Sequence, residues 1–204
     1  MSRVADGAAA VAPVPVADVT GDDVRAAVDE AVALLARVPD PTAAVPVMGT
    51  DVAGVVWHTG ECLHWYGHDL LMGRVDLTAG RYERDPAAGY GRLVTGLSTW
   101  GEVLARVLDA ADPGERGFHP WGAPDPAGFA AMACAEVLVH TGDVAEVVGA
   151  RWAPPSDVVE AVLARLFPQA PTDADPATTL RWATGRADLP GRPRPTSWSY
   201  AAAA

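Results

Sequence analysis

The chain contains no lysine, no isoleucine and no asparagine, and all 15 of its basic residues are arginine. These absent residues have AT-rich codons, so the bias points to a high-GC coding sequence and says nothing about fold. Positive charge is scarce as well. Against 26 Asp and Glu the net charge is -11, which disfavours a nucleic-acid or anionic-membrane partner attracted by charge. Only Cys62 and Cys134 are present, too few for a disulfide framework, and a reducing cytoplasm is the expected compartment. Near the N-terminus, Asp6, Pro13 and Pro15 interrupt any signal-peptide core. No apolar run approaches the ~20 residues that span a bilayer, so a soluble protein is expected. Also missing are a G-x-S-x-G turn, a Gly-rich phosphate loop and a C-x-x-C pair, which removes motif support for serine hydrolase, nucleotide-enzyme and thioredoxin chemistry.

What is present is 204 residues, half of them hydrophobic, enough for one domain with a sizeable core. Residues 1–18 are rich in Ala, Val and Pro without periodicity and read as a leader. A single domain is expected over 19–198, with 199–204 as a tail. Thr20 and Asp23 open an amphipathic helix over Val24 to Val38. Thr50 or Asp51 caps a second helix to about Met72, stopped at Gly73. Residues 75–90 read as a loop, and a third helix covers about Arg92 to Ala111 despite Gly96 and Gly101. Asp125-Pro126 starts a fourth that ends at Gly149. A fifth runs from Ser156 to about Leu166 and a short sixth from Asp175-Pro176 to about Thr184, followed by extended chain over Pro190 to Tyr200. No strand pair stands out. The expected architecture is all-α: a four-helix bundle with a short helical C-terminal extension.

The fourth helix carries the most informative stretch, Glu136-Val137-Leu138-Val139-His140. Positions four apart share a face, and this face also holds Phe129, Met132, Ala133, Val144 and Val147, the side expected to be buried. A carboxylate and an imidazole in an apolar stripe are costly unless paired, hydrogen-bonded or metal-bound. The second helix offers a third ligand, His58, among Val52, Val55, Val56, Cys62, Leu63 and Tyr66. Two His and one carboxylate with open positions form the donor set of catalytic zinc sites, and Asp143, three residues past His140, is placed to take its free ring N–H. The same spacing equally describes an i,i+4 polar pair at the edge of a core, with His58 a core histidine, and spacing alone does not separate the two. Cys62, one turn from His58, either contributes to the site, closing it as a fourth ligand in a binding protein, or is a small hydrophobe, the favoured reading. His64 and His68 form a rival pair about 120° and 80° around the helix from His58. They read as solvated or half-buried polar residues. His119, on the loop before the fourth helix with Trp121, is a candidate substrate-side acid or base, with a structural loop histidine as the alternative.

Several stretches together resemble the mycothiol-dependent maleylpyruvate isomerase family, part of a DinB-like group of metal-dependent thiol enzymes. They are Glu115 to Gly122 (ERGFHPWG), Gly128 to Met132 (GFAAM), Glu136 to Asp143 (EVLVHTGD), His58 to Leu70, Leu180 to Arg186 and Leu189 to Pro193. The likeness spans roughly residues 20–198, and the Glu136 block is its specific part. The resemblance implies a DinB-like four-helix bundle holding a divalent metal, with zinc the expected ion, on one His of the second helix and a Glu-x-x-x-His of the fourth. By position these are His58, Glu136 and His140. It further implies mycothiol as cosubstrate and a small electrophile as substrate. His119 and Asp143 are the expected catalytic side chains, and the protein is expected as a monomer or homodimer. The chain departs from the family in having Thr50 and Gly54 where a Trp and an acidic residue are common, and it ends without the second domain of the isomerases. Thiol transfer is therefore expected ahead of maleylpyruvate isomerisation. Two other readings stay open: a small-molecule-binding or sequestering protein, and a thiol-independent metal hydrolase using metal-bound water.

Overall fold

A computed structural model describes residues 18–201; most of the leader read from the sequence, and the last three residues of the tail, lie outside them. Six helices and one small hairpin make up the described chain. They are α1 (Gly21–Leu35), β1 (Ala44–Val45), β2 (Thr50–Asp51), α2 (Val52–Met72), α3 (Tyr90–Ala110), α4 (Pro126–Val148), α5 (Ser156–Leu166) and α6 (Pro176–Ala183). Most helix starts are fixed by local side chains. Thr20 and Asp23 form a reciprocal capping box at α1. Asp51 accepts the Gly54 N–H at 2.7 Å to start α2. Asp125 does the same for Gly128 at 2.7 Å, with Pro126 in the first turn of α4.

The architecture is not the simple four-helix bundle expected from the sequence, DinB-like or otherwise. From Gly128 to Ala145 every residue of α4 except Glu136 is buried, so this helix is enclosed on all sides rather than along one stripe. A helix that is apolar all round belongs in the middle of a core. Here α1, α2 and α5 all pack against α4, α3 packs on α1 and α2, and α6 packs on α5. Val147, assigned to the buried stripe, is 37% exposed because it lies past the last enclosed turn.

The hairpin is the element that sequence reading missed. Ala44 pairs with Asp51 and Val45 with Thr50, antiparallel, around a 3-10 turn over Pro46–Met48. Strands of two residues are too short to show alternation. The hairpin leads directly into α2, so the residue that ends β2, Asp51, also caps the helix carrying His58. No helix among the described residues is long and apolar enough to cross a membrane.

Candidate metal centre

The α2–α4 contact brings together three side chains distant in sequence. His58, Glu136 and His140 each offer a ligand atom, and those atoms lie within 4.8 Å of one another. The His140 Nε2 stands 2.9 Å from Glu136 Oε2, and His58 Nε2 stands 3.9 Å from the same oxygen. Two ligands on one tetrahedral zinc are about 3.4 Å apart for nitrogen and oxygen donors, a separation these two distances bracket. The imidazole rings of His58 and His140 meet edge-on at 5.2 Å. The described residues thus contain a two-His, one-Glu cluster able to chelate a divalent ion. An all-helical protein with such a cluster is consistent with a metal-dependent enzyme.

Glu136 divides its two oxygens between different neighbours. Both imidazoles face Oε2, whereas Oε1 accepts hydrogen bonds from Tyr200 (2.9 Å) and Tyr66 (3.3 Å). Such a carboxylate presents one oxygen to an ion while the other is fixed by phenols. Burial alone would push the Glu136 carboxyl up. The hydrogen bond and charge of His140, the charge of His58 and the Tyr200 bond outweigh it and hold the group at about 2.

Behind His140, Nδ1 faces Asp143 Oδ2 at 3.2 Å. Asp143 has a side chain only 1% exposed and is gripped by Arg186, whose Nη2 donates to Oδ2 at 3.0 Å and whose Nε lies 3.2 Å from Oδ1. Arg181 Nη1 adds its charge at 3.8 Å. A carboxylate on the far nitrogen of a ligating histidine fixes the tautomer and ring orientation, and Arg186 in turn fixes that carboxylate. Burial would lower the pKa of His140, but its bonds to Asp143 and Glu136 raise it to about 8. Burial and the charge of His140 instead hold His58 below the usual imidazole value.

The remaining candidates lie around this cluster. His119 is not among the three. Its Nδ1 accepts the Trp121 N–H at 3.2 Å within a tight turn, and its ring sits 6.1 Å from that of Tyr66. Desolvation holds its pKa down, opposed by the charge of Glu136. The turn is pressed onto α2: a Cβ at Gly117 would come within 2.5 Å of Leu70 Cα and 2.6 Å of the Asp69 carbonyl. His64 packs among Trp65, Tyr82 and Trp100, and His68 faces Asp69 at 3.3 Å. Cys62, read as a hydrophobe, has its Sγ 3.6 Å from His58 Nε2.

Tyr66, Tyr200, Arg181 and Arg186 escaped sequence reasoning as functional residues. Tyr66 did leave a signal, since His58, Cys62 and Tyr66 recur every four residues on one face of α2. Tyr200 left none and Arg186 only its place in the Leu180 to Arg186 stretch, because long-range packing alone brings them to α4. Thr50 and Gly54 are neighbours: a Cβ on Gly54 would lie 2.2 Å from Thr50 Oγ1. With Thr50 in place, an acidic side chain at position 54 has no room without a shift. No protein-family profile, curated protein or solved structure matches this chain.

Proposed function

We propose that the protein is a metal-dependent enzyme that uses a low-molecular-weight thiol, mycothiol, as nucleophile on a small electrophilic substrate. The reaction is an S-transfer or a thiol-assisted isomerisation. The observation that carries the reading is the three-ligand set itself: His58, Glu136 and His140 converge, and the His58 side chain is 42% exposed. An ion on that edge is reachable from solvent, as a catalytic site requires and a closed structural one does not. Two imidazoles and one carboxylate suit zinc. The sequence likeness to the mycothiol-dependent maleylpyruvate isomerase family supports the thiol, and so does the high-GC codon bias.

A divalent ion in this place would supply the acidity that converts a bound thiol to thiolate near neutral pH. The chain's own residues do the positioning. Asp143, held by Arg186, keeps His140 in the tautomer that presents Nε2 to the site. Tyr66 and Tyr200 keep Oε1 of Glu136 turned away, leaving Oε2 for ligation. His119 uses Nδ1 in its own turn, so Nε2 is the atom left to exchange a proton with substrate.

The test begins with metal content of the purified full chain beside His58→Ala and Glu136→Ala, each checked for folding by circular dichroism. One zinc per chain, lost in both folded variants, is expected. Mycothiol transfer to a fluorogenic electrophile such as monochlorobimane should then require the metal and all three ligands. Metal-free wild type, or transfer unaffected by Glu136→Ala, overturns the reading. Turnover of esters or amides without added thiol would favour a hydrolase.

A further inference from the structure

One group at the site has no part in the chemistry above. His58, Cys62 and Tyr66 occupy successive turns of α2 and all point toward Glu136. The Cys62 Sγ lies 3.6 Å from His58 Nε2 and 4.0 Å from Nδ1, and burial together with the negative charge of Glu136 pushes its thiol up. A zinc-bound imidazole nitrogen and a zinc-bound sulfur are separated by about 3.6 Å when both sit on one tetrahedral ion. Sγ is therefore already at ligand spacing from one member of the cluster. It is not one of the three atoms within 4.8 Å of one another, so it lies at the edge of the set. Cys134, the other cysteine, is fully buried, and neither His58 nor Glu136 is among the groups that act on it.

We propose that Cys62 is a fourth, exchangeable ligand of the ion held by His58, Glu136 and His140, occupying the open position until an exogenous thiol displaces it. This rests on the metal-and-thiol reading above and adds a resting state to it. The exchange balances without an oxidant. The incoming thiol gives its S–H proton to the Cys62 sulfur; the bond from that sulfur to the ion breaks as the bond from the new sulfur forms. One thiolate replaces another, so the charge at the ion is unchanged and no electron is transferred. A site closed in this way excludes water as the resting ligand, which favours thiol transfer over metal-assisted hydrolysis.

Cobalt(II) tests the proposal, because thiolate ligation gives a near-ultraviolet charge-transfer band that imidazole and carboxylate ligands do not. The full chain is titrated with cobalt beside Cys62→Ser and Cys62→Ala, with folding checked by circular dichroism. Wild type should bind one cobalt and show the band; either folded variant should bind cobalt and lose it. Addition of 2-mercaptoethanol to the cobalt-loaded variants should restore the band as the outside thiol takes the vacated position. Cobalt bound by wild type without the band overturns Cys62 as ligand and leaves the three-residue site standing. A band that survives in the variants without added thiol overturns it equally. Variants that bind cobalt yet show no band with 2-mercaptoethanol overturn the exchange. No cobalt binding by wild type removes the metal reading itself, a failure distinct from the others.

Discussion

Tyr200 and Glu136 are joined by a hydrogen bond of 2.9 Å from the phenol to Oε1, tying the chain's C-terminal segment to the middle of α4. The anchor is deep: Tyr200 is 6% exposed, and the next residue, Ala201, donates its N–H to the Leu166 carbonyl at the end of α5. A segment with no regular structure thereby becomes part of the site. The phenol also packs against Phe167 (5.7 Å) and Trp121 (5.2 Å), so α5 and the His119 turn converge on one ring.

Replacement of Tyr200 by Phe keeps the ring and removes the donor to Glu136. Losing a partner that orients a ligand typically costs about 10- to 100-fold in metal affinity. The remaining bond from Tyr66 is longer, at 3.3 Å, so the expected loss for Tyr200→Phe lies near tenfold and for the double Phe variant is larger. Competition with a chromogenic zinc chelator measures both. Unchanged affinity in the double variant would mean that Glu136 needs no support at Oε1.

Arg186 and Asp143 form a buried ion pair, with side chains 8% and 1% exposed. Arg186→Met leaves Asp143 with His140 at 3.2 Å and Arg181 at 3.8 Å, so the loss should fall below the roughly 3 to 5 kcal/mol of a buried charge stripped of its partner. Denaturant unfolding should show that loss. Arg186→Lys keeps the charge but gives up the fork of donors, so it should fall between the two. A Met variant as stable as wild type would show that His140 and Arg181 suffice to hold Asp143.

How far these residues were legible differs from element to element. The caps Thr20, Asp51, Asp125 and Asp175 act within three residues of themselves, so helix starts could be read from the chain. The Glu136–His140 spacing was legible for the same reason, whereas an apolar face on each helix offered His58 as a third ligand without deciding for it, and the resemblance selected it. Hydrophobicity on every side of α4 was also in the sequence, yet it was read as one stripe. The bundle was inferred from the number of principal helices and the length of their connections, which do not reveal the hairpin or the packing of α5 and α6. The Ala44–Asp51 hairpin has no periodicity to detect. Tyr200 and Arg186 reach the site through contacts spanning 64 and 43 residues, beyond any local pattern.

Gly117 offers a test of the turn that carries His119. A methyl group there would meet Leu70 Cα at 2.5 Å and the Asp69 carbonyl at 2.6 Å, both backbone atoms that cannot rotate aside. Overpacking of this kind costs about 1 to 3 kcal/mol. Gly117→Ala should therefore lower the melting temperature and shift the amide resonances of His119 and Trp121. A variant with unchanged stability and spectrum would show that the turn stands off α2 in solution.

The pH dependence of metal binding follows from His140. In the metal-free protein its pKa is raised from 6.5 to about 8, because the cation donates to Asp143 on one side and Glu136 on the other. A group whose folded pKa is raised contributes stability that is fully present below the unfolded value and is lost as pH rises through the folded one. The metal-free protein should therefore lose this contribution between about pH 6.5 and pH 8. Metal binding runs the opposite way, since an ion on Nε2 must displace that proton. His58, held low by burial, adds no comparable barrier near neutrality. In Cys62→Ser, where His140 is the group that must give up its proton, apparent zinc affinity should rise about tenfold per pH unit below pH 8 and level off above it. Isothermal titration in two buffers of different ionisation enthalpy counts that proton directly. In Cys62→Ser, which has no thiol proton to give up, one proton released at pH 7 and close to none at pH 9 is expected from His140, whereas wild type should release one more at each pH as the Cys62 thiol proton is displaced. Release that stays constant across this range would place the displaced proton on another group and remove His140 as the ligand that sets the affinity.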